Sequence, residues 1–209
     1  MKKFIFATLA TAMTMCSTAQ ETVTLPAPDM SLGMTLMEAL QQRHSTWTHT
    51  DKPVSDAELS TVLWAASGIN RPESKRITAP SAINAQDIVV YALRADGTYL
   101  YNVEKHQLDK VNDKDLREAA CGRDQKPKSA PVILLLVSDL SKFGGRSGDA
   151  VRTMATVDAG YVSENICLVC TALGLNTVPR MSMDHEALKE ALGMGDTLLP
   201  LLNHPISKP

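Results

Sequence analysis

The seven residues Pro131–Val137, PVILLLV, constrain the fold more than any other stretch. A run with no polar side chain has no face to turn to water. It fits a strand covered on both sides, not an edge strand. Such a strand needs partners on each flank and a layer of structure above and below. Ile88–Arg94 is a second apolar run, turned by Ala95-Asp96-Gly97 into a return over Thr98–Val103. Asp-Gly between apolar runs is a hairpin signal. Thr197–Leu202 reads as the last strand. The covering layer is expected from helices. Val151–Leu173 is long, strongly helical and apolar nearly all round, so it is expected at the centre, ended by Gly174. Ser55 and Glu58 form a capping box ahead of Leu59, Val62, Leu63 and Ala66, which fall on one helical face, and Gly68 stops that helix.

Shorter helices are expected over Thr35–Arg43, with Leu36, Met37 and Leu40 on one side, over Asp113–Ala120, and from the cap Asp184 through Leu192. Glu21–Gly33 reads as an aperiodic extended arm, Ser141–Asp149 as a Gly-rich loop, Asn176–Arg180 as short and extended, and His204–Pro209 as a tail. Helices mixed with a few strands, without repeats or a low-complexity linker, give an α+β chain with one domain over 20–209.

Residues 1–19 read as an address. Lys2 and Lys3 form a basic region, Phe4–Met15 an apolar one too short to span a bilayer, and Ser17-Thr18-Ala19 a small-x-small cleavage pattern. Cleavage after Ala19 and export to the periplasm follow, with lipid anchoring through Cys16 as the lesser reading. No later segment is long and apolar enough for a membrane span. The net charge of −2 offers no basic field for nucleic acid, and 4% aromatic residues offer no base-stacking platform. Cys121, Cys167 and Cys170 remain after cleavage, an odd number. Cys167 and Cys170 have C-x-x-C spacing but lie deep in a helical pattern, away from a helix N-terminus that would favour a thiolate, so core packing is favoured over redox chemistry. His44, His49, His106, His185 and His204 form no metal motif.

Lys75–Tyr91, KRITAPSAINAQDIVVY, is where a polar ligand is expected. Ser81, Asn84 and Gln86 offer hydrogen bonds without charge, on a loop that runs into a strand. An ordinary turn before a strand is the competing reading, since Pro, Ser and Asn all favour turns. Arg43 and Ser45 supply a cation and a hydroxyl suited to phosphate. The competing reading of Arg43 is a solvated helix-end cation.

The order of several motifs then carries a resemblance. Arg43-x-Ser45 follows a first helix. PVSDAELSTVLWAASGINRP, RITAPSAINAQDI, the DGTYLYN hairpin, APVILLLVSDLSK, DAGYVSENICLVCTALGL and TVPRMSMD come after it. From about Thr35 to Leu202 the chain resembles the flavin-dependent nitroreductase family, in the short branch similar to thiazoline and oxazoline oxidases. The resemblance implies a mixed, mainly antiparallel sheet flanked by helices, in an intertwined homodimer with FMN at the subunit interface. It implies that Arg43 and Ser45, with His44 beside them, contact the FMN phosphate or ribityl chain. It places Ser81 and Asn84 along the flavin with Gln86 close by, and backbone N–H groups around Arg180, Met181 and Ser182 near N5. Two electrons would pass from NAD(P)H or another donor to a small-molecule acceptor, with no catalytic side chain.

Three places depart from the family pattern. Trp47 stands where a second Arg is usual, His49 where an aromatic is usual, and Pro205-Ile206-Ser207-Lys208-Pro209 where the closing segment usually reads Gly-Tyr-Pro-Lys. Losing a bidentate phosphate contact costs about 1.5–3 kcal/mol, which weakens FMN binding. Lys208 is the candidate to compensate. The alternative is a non-catalytic member of the fold that binds another ligand or a protein partner.

Overall fold

The computed structural model describes residues 21–209. The expected leader, its cleavage point and Cys16 lie outside the described residues. At the centre stands β7 (Val132–Asp139), with every residue from Val132 to Ser138 buried. Antiparallel neighbours flank it: β4 (Ile88–Arg94) on one side and β9 (Leu198–Ser207) on the other, so that Leu135 lies opposite both Tyr91 and Asn203. Beyond β4 come β5 (Gly97–Asn102), β6 (Gln107–Asn112) and β1 (Thr22–Thr24). Beyond β9 comes β8 (Asn176–Thr177). A separate small hairpin joins β2 (Ile69–Arg71) to β3 (Arg76–Ile77).

The pleat of β7 divides its side chains between two cores. Val132, Leu134 and Leu136 pack with Val62, Leu63, Val162 and Ile166, from α2 (Asp56–Ser67) and α4 (Asp149–Ala172). Ile133, Leu135 and Val137 pack with Ala120, Cys121 and Leu188, from α3 (Arg117–Cys121) and α5 (His185–Leu192). Each buried Leu or Ile contributes about 1.5–3 kcal/mol of transfer free energy. A seven-residue apolar run is therefore placed where both of its faces are covered. The Ser55 capping box and the Asp184 cap are both present, Asp184 accepting from the Ala187 amide. At the tight turn into β5, Gly97 has φ +144°, and a Cβ there would lie 2.6 Å from the Asn112 carbonyl oxygen. Only glycine fits that approach.

The sheet is larger than the sequence pattern suggests. The arm at 21–33 contains β1, whose Val23 lies opposite Leu108 of β6. β1 is the edge strand and β6 lies between it and β5; both are short and largely polar, and they are extended because they are paired. The last strand continues through the expected tail to Ser207. A register shift beside Pro200 makes room for the first proline. Pro205 falls between the two residue pairs of β8 and the isolated Arg180–Asn203 bridge, where no amide is needed. The Asp113–Ala120 helix begins later, at Arg117.

Two apolar faces differ from expectation. Helix α1 (Leu36–Gln42) leaves Leu36, Met37 and Leu40 exposed and buries Ala39. Helix α4 buries one stripe, but Val157 and Tyr161 remain exposed. Among the described residues, no helix is long and apolar enough to cross a membrane.

Candidate functional site

The loop between β3 and β4 is built on uncommon backbone. Ile83, Asn84 and Gln86 all have positive φ, at 49°, 58° and 48°. Left-handed conformation costs a non-glycine residue about 1–2 kcal/mol, so something must hold the loop. That anchor is Asp158, buried in the middle of α4. Ser81 Oγ donates to Asp158 Oδ2 at 2.9 Å, and the Ala82 amide donates to both carboxylate oxygens at 3.0 and 2.9 Å. Ser81 Oγ in turn accepts the Gln86 amide at 2.8 Å. Lys142 Nζ donates to the Gln86 carbonyl at 3.0 Å. Asp87, the next residue, is fully buried and accepts from Ser138 Oγ on β7. Burial first, then the neighbouring Asp158 carboxyl, pushes the Asp87 pKa up to about 6.

This network changes the role of one expected residue. The Ser81 hydroxyl is used within the loop and shapes it, so it has no hydrogen bond left to donate to a ligand. The Gln86 side-chain amide is bonded as well, donating to the Lys75 carbonyl at 3.2 Å. Asn84 is exposed, and it is the amide that the loop presents outward. Sequence reasoning missed Asp87 and Asp158. A carboxylate inside an apolar helical pattern was the one available signal.

Arg43 caps the end of α1, half-buried, and makes no ion pair among the described residues. Its charge reaches the Cys167 thiol on α4. His44 Nδ1 is 2.8 Å from the Gln42 carbonyl oxygen, and Ser45 is exposed beside it. The Thr46 amide donates to the Thr177 carbonyl at 3.0 Å, which ties this segment to β8. Trp47 is 61% exposed and so does not fill a cavity in the chain.

The other two expected cations are committed elsewhere. Arg180 is buried, its guanidinium donating to the Cys121 carbonyl at 2.9 Å, and its backbone N–H goes to the Asn203 carbonyl at 2.9 Å. Arg180 is thus a structural residue, and its N–H is not free to face a ligand. Met181 and Ser182, just beyond it, are exposed and line a cleft of about 970 Å³ with Gly122, Arg123 and His185. Lys208 pairs with Glu58 at 3.2 Å, beside the cap of α2.

Cys121, Cys167 and Cys170 are free and buried. Burial pushes the Cys167 thiol up to about 11 and Cys170 higher still, which opposes thiolate chemistry. Among the described residues, no cluster of His, Cys, Asp or Glu is placed to hold a metal.

The chain therefore carries the expected residues in three groups: Arg43 to Ser45, the loop around Asn84, and Met181 with Ser182. The first two meet α4 at Cys167 and Asp158, about 13 Å apart along the helical rise.

Comparison with known proteins fits this arrangement. The family model "Nitroreductase family" matches residues 40–202. A crystal structure of a provisionally named nitroreductase from Ralstonia eutropha JMP134 is 31% identical, with TM-score 0.82, over 90% of this chain and 89% of that one. A relative from Methanocaldococcus jannaschii, also provisionally named as a nitroreductase, is 25% identical over 90% of this chain and 98% of its own length. A protein from Clostridium acetobutylicum whose structure is provisionally titled NADH oxidase shares the fold at TM-score 0.59 and 20% identity, over 82% of this chain and 87% of that one. The chain belongs to the nitroreductase family, and is an oxidoreductase.

Proposed function

We propose that this protein is an FMN-dependent oxidoreductase, within the short branch similar to the thiazoline and oxazoline oxidases. It acts as a homodimer and passes two electrons from a nicotinamide or another donor to a small organic acceptor. The observation that carries the reading is the loop at 81–86, held in a strained form by a buried carboxylate and presenting the Asn84 amide. Strain kept by dedicated contacts belongs to sites whose shape matters. The residues present fit the cofactor at both ends. Among the described residues Arg43 has no carboxylate partner, and it stands beside the Ser45 hydroxyl, as a phosphate requires.

Bound flavin supplies hydride acceptance and two-electron donation. The protein's part is to bind and orient. Arg43 and Ser45, flanked by His44, hold the phosphate end. Asn84 orients the polar edge of the ring. The amides at Met181 and Ser182 donate where negative charge develops. These groups are separated on one protomer, and exposed Leu36, Met37, Trp47 and Tyr161 lie near them in sequence or on α4. A second copy covering those side chains closes the site.

The test is to titrate the purified protein with FMN and follow flavin absorbance and fluorescence. Saturable binding with loss in Arg43→Ala supports the reading, and no binding at high micromolar FMN removes it. Trp47 in place of a cation, and Lys208 held by Glu58, favour the second reading, a non-catalytic member of the fold. That reading predicts the negative result. We also propose export. Protein recovered from the periplasm begins at Gln20 in that case, and an N-terminus at lipid-modified Cys16 favours anchoring instead.

A further inference from the structure

A groove on the β2–β3 side of the molecule is not used by the function above. Its outer part, about 580 Å³, is lined by Trp64, Pro72, Pro28 and His106. Its inner part, about 290 Å³, is lined by Ser67, Tyr101, Gln86 and Lys142. The two parts share Ile69, Lys75, Val103 and Glu104, so they form one channel. The Lys75–Glu104 ion pair, at 2.8 Å, stands where they join.

Three features of this groove point to a ligand. Ser67 is 1% exposed, and its hydroxyl has no hydrogen-bond partner among the described residues. A buried polar atom left unpaired is unfavourable and calls for a partner. Lys75, Gln86 and His106 all line the groove with positive φ, at 51°, 48° and 48°. Two ammonium groups, Lys75 and Lys142, reach the inner part against one carboxylate, Glu104. Apolar walls continue outward from there over Ile69, Val103 and Trp64.

We propose that this groove binds a small amphipathic carboxylate. The carboxylate lies in the inner part against Lys142 and Lys75, and takes the Ser67 hydroxyl. The apolar body lies outward along Ile69, Val103 and Trp64. Glu104 turns away from Lys75 as the ligand's anion replaces it. The groove touches the 81–86 loop only through Gln86, whose carbonyl accepts from Lys142 and whose side chain donates to the Lys75 carbonyl. It is a site separate from the one proposed for FMN.

The experiment uses Trp64 as its own reporter. The chain has two tryptophans, so Trp47→Phe leaves Trp64 alone. Benzoate is titrated into this full-length variant, and benzamide serves as the neutral control. The expected result is a saturable change of Trp64 fluorescence with benzoate, and binding about tenfold weaker for benzamide. Lys142→Ala and Ser67→Ala are each expected to weaken benzoate binding, Lys142→Ala by about tenfold. Lys142 is exposed, so that variant keeps the fold, and its thermal transition checks this. The proposal is overturned if benzoate gives no saturable change in the millimolar range. Equal binding of benzoate and benzamide overturns it, as does full binding in Lys142→Ala. Displacement of benzoate by FMN merges the two sites and overturns the separate one. These readouts need no flavin, so they stand apart from the FMN titration.

Discussion

Two buried residues with opposite proton preferences set how this fold responds to acid. His204 on β9 is fully buried between Ser163 Oγ, 2.9 Å from Nε2, and Thr177 Oγ1, 3.4 Å from Nδ1, and burial pulls its pKa down to about 3. Below its ordinary value of 6.5 the unfolded chain takes up a proton that the fold refuses. Its contribution is complete above pH 6.5 and is lost as pH falls toward 3, at about 1.4 kcal/mol per unit. Asp87 runs the other way. Raised from 3.8 to about 6, it keeps its proton in the fold, so its contribution is present below 3.8 and lost as pH rises through 6. The whole loss is about 3 kcal/mol. Between about pH 4 and 6 the two slopes offset, and stability there is expected to be nearly flat. Denaturant midpoints across that window test this. His204→Gln should lose stability as pH rises, and Asp87→Asn should gain it. Neither residue was legible as a titrating group. His204 falls in an expected tail, and Asp87 next to an apolar run gives no sign that a second carboxylate lies against it. Arg43, Ser45 and Asn84 were legible, because side chains of that chemistry sit where helix and loop ends were already marked.

The loop at 81–86 and the middle of α4 work as one element. Asp158→Ala leaves the Ala82 amide and the Ser81 hydroxyl without their acceptor, and removes what holds the left-handed residues in place. The expected loss is about 2 kcal/mol in unfolding free energy. FMN affinity should fall about tenfold with it, read in the same titration as above. How well elements could be read depended on what forms them. Helix α2 was legible to its ends, since its capping box, its apolar face and Gly68 are all local signals. Strands β1 and β6 were not, because QLDKVN has no inside and outside until β5 supplies one. The exposed side of α1 was read as an apolar face, but no local signal marks that the chain leaves Leu36, Met37 and Leu40 uncovered.

For the whole molecule, the proposed dimer leads to a direct test. Leu36, Met37 and Tyr161 are 64%, 72% and 46% exposed, a large apolar area for water to meet. The double variant Leu36→Glu, Met37→Glu should sediment as a monomer and lose FMN binding together, while its far-UV circular dichroism stays unchanged. A dimer that survives both changes places the interface elsewhere. The architecture itself was legible through the order and spacing of its motifs, none of them decisive alone. What was not legible is which groups meet. Arg180 is drawn inward by the Cys121 carbonyl and Lys208 is paired with Glu58, and both pairings depend on segments far apart in the chain.

Because the inner and outer side chains of β7 belong to different cores, neither layer of helices can peel away without uncovering the same ribbon. The chain has no half-melted state to rest in. Its amide hydrogens at Leu134, Leu135 and Leu136 are therefore the last that heavy water should claim, and both layers should give way in a single event.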